Sequence, residues 1–294
     1  MTTSFDLRLV LTHSYASPAG NGRHVLRVVP KMIPGRQHVT AHLLEISPEP
    51  LEREESVDFF GNWATTIVHV EQHDRMEIRM SARVDVSSPT GAQDTYLDFG
   101  DLSESLENNR DLGKDSPLHF LGPSPRLSPN SEIASFAADH VRPDQNNAAN
   151  MVRLGEAINA LMTFDPRATT VETSPVDAFR NRRGVCQDFT HIMIIALRSL
   201  GIPAGYVSGY LRTTPPPGGV RLEGADAMHA WVRVWCGPSA GWIEYDPTNA
   251  CLTTDDHIVV SYGRDYADVS PIIGNLRASG GLTSSQAVDV VDLA

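Results

Sequence analysis

The chain has 294 residues, 41 % hydrophobic and 20 % charged, a balance that supports a buried core and excludes disordered, collagen-like and low-complexity classes. The length favours two domains. The formal net charge of −12 repels phosphate backbones, which argues against nucleic acid as a partner.

The first hundred residues alternate in the manner of strands. Phe5, Leu7, Leu9 and Leu11 share one face of a first strand, and Val25, Val28 and Val29 suggest a second. Val39–Glu45, Trp63–Glu71 and Met76–Ala82 continue the theme. Turn signals separate the runs at Pro18–Gly22, Pro34-Gly35, Gly61-Asn62 and His73-Asp74. Short strands with close turns predict a small antiparallel β-sandwich. His38/His42 and His69/His73 repeat at i, i+4, but four strand residues span about 13 Å, so neither pair is read as a metal site.

Residues 87 to 130 are rich in Ser, Pro, Gly, Asp and Asn and read as a connector. Helical spacing follows at Glu132–Val141 and again at Met151–Met162. A third helix begins after Arg183-Gly184 and ends at Gly201, a C′ glycine with Pro203 beyond it. Strand-like runs follow at Ala204–Leu211, Ala227–Trp235 and Gly241–Tyr245. Helices followed by antiparallel strands make the fold class α+β.

The three cysteines are Cys186, Cys236 and Cys251. An odd, sparse set is no disulfide framework, and it lacks Cys-x-x-Cys zinc spacing. No segment approaches the roughly 20 apolar residues of a membrane span, and the first residues lack a basic stretch followed by an apolar run. The expectation is a reduced, cytoplasmic protein with free thiols and no membrane partner.

Cys186 falls where the apolar set Phe189, Ile192, Met193, Ala196, Leu197 and Leu200 starts a helix. The positive end of the macrodipole and the free N–H groups there favour a thiolate and hold an oxyanion. A thiolate nucleophile needs a proton shuttle. Strand alternation puts His229 on one face with Trp231, Arg233 and Trp235, and the next strand puts Trp242, Glu244 and Asp246 on one face. If Trp235 pairs with Trp242, His229 is diagonal to Asp246, about 7–8 Å between backbones. Asp246 then fixes the imidazole tautomer and leaves the other ring nitrogen for Cys186. His191 and Asp188 on the same helix are read as structural, and the loop 213–219 as a candidate substrate lip.

The blocks Arg183-Gly184-Val185-Cys186-Gln187-Asp188, Asp226–Val232 and Trp242–Asn249 together resemble the bacterial transglutaminase-like superfamily. Phe60-Gly61-Asn62 resembles part of its N-terminal β domain, and Gly263–Pro271 its C-terminal segment. The resemblance implies a papain-like core and a catalytic triad of Cys186, His229 and Asp246. It also implies acyl chemistry on amide bonds through a thioester, with Gln187 and Trp231 as weaker oxyanion or substrate candidates. Polypeptide or isopeptide substrates follow, with no cofactor and no required metal. The expected organisation is an N-terminal β-sandwich over 1–105, a connector over 106–130 and a catalytic domain over 131–277, with 278–294 a tail or last strand. Two other readings stay open: an inactive binding or scaffold module on the same fold, and a small-molecule acyltransferase using an acyl thioester donor.

Overall fold

The computed structural model describes residues 2–87, 96–213, 226–277 and 280–293. Its first strand, β1 (Thr2–Leu26), runs unbroken for 25 residues. The turn expected at Pro18–Gly22 does not form. A register shift between Gly20 and Arg23 absorbs the irregular residues, with Asn21 at φ 50°. Such a bulge bends and twists a strand, and here β1 changes partners across it. Up to Tyr15 it pairs with β5 (His73–Ser87) and β14 (Leu282–Asp292). From Gly22 it pairs with β4 (Trp63–His69), and β13 (Ile272–Arg277) runs beside the same stretch. β2 (Gln37–Ser47) extends the first half beyond β5, and β3 (Glu52–Val57) extends the second beyond β4.

The seven strands form one curled antiparallel half-barrel, so the two expected layers share β1. Phe5, Leu7, Leu9 and Leu11 face inward as their alternation predicts, against Met76, Ile78 and Met80 of β5 and Val288 and Val290 of β14. Two placements differ from the sequence reading. Residues 272–277, expected in the catalytic part, form β13 on the half-barrel. His69 and His73, expected far apart along a strand, flank the β4–β5 turn with ring centroids 4.9 Å apart.

Among the described residues, five α-helices follow before the second sheet, with a 3-10 turn at Pro117–Phe120 between the first two. α1 (Phe99–Glu107) lies inside the stretch read as connector, capped by the Asp98 side chain on Asp101 N. α2 (Ser131–His140) and α3 (Asn147–Leu161) match the predicted spacing and start on Asn130 and Asn146, whose side chains accept from Ile133 N and Ala149 N. α4 (Pro175–Asn181) is too short to show a period, although Ser174-Pro175 is a cap and first-turn pair. Two two-residue strands, β6 (Thr163–Phe164) and β7 (Arg183–Gly184), pair in parallel and lead into α5 (Cys186–Ser199). Every α5 residue from Gln187 to Leu197 is buried, which makes it the central helix of this half. Gly201 beyond it has φ 75°, in keeping with its predicted C′ role.

The second sheet is antiparallel, with β8 (Ala204–Leu211), β9 (Ala227–Trp235), β10 (Trp242–Asp246), β11 (Cys251–Leu252) and β12 (His257–Gly263) in the order β11-β10-β9-β8-β12. A short helix, α6 (Tyr266–Val269), follows β12. β12 at the sheet edge is where the half-barrel docks. The Gln37 side-chain amide donates to Val259 O and accepts from Val259 N, at 2.7 and 2.8 Å. The Asn62 amide does the same for Tyr262, donating to its carbonyl at 2.7 Å and accepting from its N–H at 2.8 Å. Both side chains thus act as a partner strand for an edge that would otherwise leave backbone groups unpaired. Below them the Arg36 guanidinium of the half-barrel makes a two-pronged ion pair with buried Glu244 of β10, one prong at 2.8 Å. Glu244 also accepts from Trp231 Nε1 at 2.6 Å and from the Tyr262 hydroxyl at 2.9 Å. Burial pushes the Glu244 pKa up, but Arg36 and the hydrogen bonds outweigh it and hold it below the usual carboxylate value.

Two outcomes follow for stability. Arg36→Met leaves a buried carboxylate without its cation and is expected to cost about 3 kcal/mol in urea denaturation. The double variant Arg36→Met/Glu244→Gln should recover part of that loss, and equal losses in the two proteins would show that the ion pair is not the cause. The second outcome concerns His24, buried on β1 just past the bulge. Burial, reinforced by His69, His13 and His73, pulls its pKa down to about 4. An unfolded histidine titrates near ~6.5, so between these two values the unfolded chain binds a proton that the folded chain refuses. Stability is therefore full above about pH 6.5 and declines as pH falls towards about 4. Urea midpoints across that range should fall less steeply for His24→Gln than for the unsubstituted protein.

Candidate active site

Cys186 is the first residue of α5. The chain enters this helix through Val185, whose N–H donates to Asp188 Oδ2 at 2.8 Å. Asp188 also accepts from the Thr169 hydroxyl at 2.6 Å. The folded-back carboxylate explains Gly184, where a Cβ would lie 2.4 Å from Asp188 Oδ2. With Asp188 capping Val185, the amides of Cys186 and Gln187 remain among the orphan donors of the helix start. Burial raises the Asp188 pKa against the pull of its hydrogen bonds to Thr169 and Val185.

His229 is the third residue of β9, and Asp246 ends β10. The pairing is the one expected: Trp242 opposes Trp235, and the register runs through Glu244↔Arg233 to Tyr245↔Val232. His229 Nε2 lies 2.7 Å from Asp246 Oδ2. That leaves Nδ1 for the other side of the ring, and the Cys186 side chain is near enough to act on the charge of the imidazole. Burial favours neutral imidazole, but the Asp246 and Cys186 contacts outweigh it and raise the His229 pKa to about 10. The arrangement therefore favours a protonated histidine at neutral pH, held between a carboxylate and a sulfur.

Asp246 is fully buried. Its Oδ1 accepts from the amides of Thr248 and Asn249, at 2.9 and 3.2 Å. Its Oδ2 accepts from His229, from Asn249 Nδ2 at 2.7 Å and from His257 Nε2 at 3.3 Å. Burial opposes ionisation, yet the donors prevail and hold the pKa far below the usual carboxylate range. Asp246, His257 and Cys251 offer three ligand atoms within 4.8 Å of one another, but a cation there would have to displace the His257 and Asn249 donors from Oδ2.

The weaker candidates sit differently. Trp231 is fully buried, its indole N–H committed to Glu244 Oε2, so it supports the site from behind and offers no surface to a substrate. It fits there because Gly209, opposite His229 in β8, has no side chain; a Cβ would lie 2.3 Å from the indole. Gln187 is buried with its side-chain amide turned towards Val171 O at 3.4 Å, away from an oxyanion role for that group. His191 is buried and accepts from Tyr266 N at 3.2 Å, and burial drives its pKa to about 3, consistent with a structural part. Cys236 is fully buried, and its thiol pKa is pushed up to about 12. Burial and Asp246 raise that of Cys251. All three cysteines are unpaired. Most of the lip reading falls on residues 214–219, outside the described residues.

Two contributors escaped the sequence reading. Asn249 sits in the Asp-Pro-Thr-Asn turn, and a turn asparagine three residues after a carboxylate was a usable signal. His257 had none, because it reaches Asp246 from β12, two strands beyond β9 in the sheet.

The transglutaminase-like superfamily model matches residues 134–247, and that of the bacterial transglutaminase-like N-terminal region matches residues 5–85. The uncharacterised protein Rv2569c of Mycobacterium tuberculosis is 36 % identical over 247 residues, spanning 81 % of this chain and 77 % of its own length. ML0607 of Mycobacterium leprae, also uncharacterised, is 30 % identical over 294 residues and covers 98 % of this chain and 99 % of itself. A solved structure of a candidate cysteine protease from Cytophaga hutchinsonii superposes with a TM-score of 0.76 at 23 % identity, covering 100 % of this chain and 92 % of that one, a likeness of fold. The chain belongs to the transglutaminase-like superfamily, a family of cysteine-dependent enzymes, and carries that superfamily's bacterial N-terminal region.

Proposed function

We propose that this protein is an acyl-transfer enzyme that cleaves or transamidates amide bonds of polypeptides through a thioester on Cys186. The observation that carries the reading is the 2.7 Å bond between His229 and Asp246, beside a cysteine at a helix start whose charge acts on the same imidazole.

In this mechanism the Cys186 sulfur attacks the amide carbonyl carbon, and the carbonyl electron pair moves onto oxygen. The Cys186 amide, and behind it the Gln187 amide, stabilise that oxyanion with help from the helix dipole. The intermediate collapses by breaking the C–N bond, and His229 gives its proton to the departing amine. A thioester remains on Cys186. Water or a primary amine then attacks it, His229 takes the attacker's proton, and the sulfur leaves. Asp246 stays ionised throughout, fixing the tautomer and balancing the imidazolium. An inert scaffold has no need to bury a carboxylate that accepts from His229 and from four further donors beside a thiol. The substrate is read as a polypeptide or isopeptide, and three unpaired thiols fit a reducing, cytoplasmic setting.

The test is incubation of the unsubstituted protein, Cys186→Ala and His229→Ala with a glutamine-rich protein, with and without a primary amine, read by mass spectrometry. The expected result is amine incorporation, deamidation or cleavage, reduced at least about 10³-fold in either variant, as for loss of a triad member. Labelling of Cys186 by acetyl-CoA without reaction on the protein substrate would replace this reading with the thioester-donor acyltransferase. No reaction in any arm, with Cys186 no more reactive than a model thiol, would favour the scaffold.

A further inference from the structure

We propose that His257 is a positioning residue of this site, donating its Nε2–H to the Asp246 oxygen that also receives His229; the inference rests on the catalytic reading of Cys186, His229 and Asp246. The direction of the bond follows from the other end of the ring. The Thr254 amide nitrogen, a donor, lies 3.2 Å from His257 Nδ1. A hydrogen on Nδ1 would oppose the amide hydrogen, so the ring carries its hydrogen on Nε2. That nitrogen faces Asp246 Oδ2 at 3.3 Å, a long bond of the kind that tightens when a charge develops beside it.

The ring is held in place. His257 is buried, and it packs edge-on against Trp231, with centroids 5.2 Å apart and an interplanar angle of 82°. Trp231 is itself anchored on Glu244. The groups around His229 are Asp246, the Cys186 thiol, Trp231 with ring centroids at 6.1 Å and His257 at 6.4 Å.

The origin of each donor gives His257 its role. Thr248 N, Asn249 N and Asn249 Nδ2 belong to the turn that carries Asp246, so they move with it. His229 is the group to be positioned. Among the described residues, His257 is the remaining side-chain donor to Asp246, and it comes from β12. It therefore ties the Asp246 side chain to the far edge of the sheet, independently of the hairpin that carries it. Without it the carboxylate loses the contact from outside its own turn that orients Oδ2 towards Nε2. Misplacement on the scale of an ångström is enough to cost about 100-fold in a reaction that depends on alignment.

The test compares the unsubstituted protein with His257→Leu, which removes the donor, and His257→Gln, which keeps a side-chain N–H at similar volume. The readout is the pH profile of Cys186 alkylation by iodoacetamide, followed on the Cys186 peptide by mass spectrometry, with thermal melting of each protein alongside. Loss of the donor should slow alkylation at neutral pH about 10- to 100-fold and move the midpoint of the profile upward, because the imidazolium that stabilises the thiolate is less well held. His257→Gln should restore most of the rate and return the midpoint. A leucine variant that matches the unsubstituted protein in rate and midpoint would overturn the proposal, and so would a glutamine variant as slow as leucine. If the leucine variant does not fold, ¹⁵N chemical shifts of the unsubstituted protein decide: an Nε2–H tautomer for His257 supports the proposal and an Nδ1–H tautomer sinks it. Unsubstituted Cys186 reacting no faster than a model thiol would instead refute the catalytic reading itself, which separates the two failures.

Discussion

A buried carboxylate must find its countercharge close by, and Glu244 finds it outside its own sheet. Its two oxygens are shared between the Arg36 guanidinium, the Trp231 indole and the Tyr262 hydroxyl. A lone carboxylate buried here would carry a large desolvation cost, so the second sheet depends on the half-barrel that supplies Arg36. The ordering passes inward by contact. Glu244 fixes Trp231, Trp231 stands against both His229 and His257, and these two rings meet on Asp246. β10 thus carries two buried carboxylates two residues apart, one neutralised from the half-barrel and the other held by histidines.

The nucleophile end obeys a different logic. α5 is buried over most of its length, so its start is fixed by packing as well as by hydrogen bonds. Asp188 saturates Val185 N–H and Thr169 Oγ1, and burial raises its pKa. A carboxylate at that point would ordinarily work against a neighbouring thiolate. Here it acts as a cap turned towards Val185 N–H and the Thr169 hydroxyl, while the dipole and the amides of the first turn stay available to the sulfur and to an oxyanion.

What the residue pattern disclosed was local or periodic. The start of α5 could be read from the apolar spacing after Cys186, and the β9–β10 register from the two tryptophans flanking a Gly/Pro loop. The order of Cys186, His229 and Asp246 then followed from chain direction. What it withheld depended on packing. The Pro/Gly cluster at 18–22 has turn composition, yet pairing with β13 and β4 on one side and β5 and β14 on the other pulls it into a bulge. Trp231 was a fair candidate for a substrate wall until Gly209 opened room for it inside the sheet. The buried role of Asn62 could not be deduced from a turn motif, since its partner Tyr262 lies 200 residues away.

The pairing of β1 with β14 reaches from Phe5↔Asp292 to Tyr15↔Leu282. Among the described residues, every helix and the whole sheet that bears His229 and Asp246 are written between those two strands. During synthesis β1 emerges before β14 and waits for that neighbour until all the intervening residues have been made. The half-barrel therefore cannot be completed as a unit while the rest of this stretch is still being translated. The half-barrel cannot complete its β1–β14 seam until the residues of the second sheet, Glu244 and Asp246 among them, already exist.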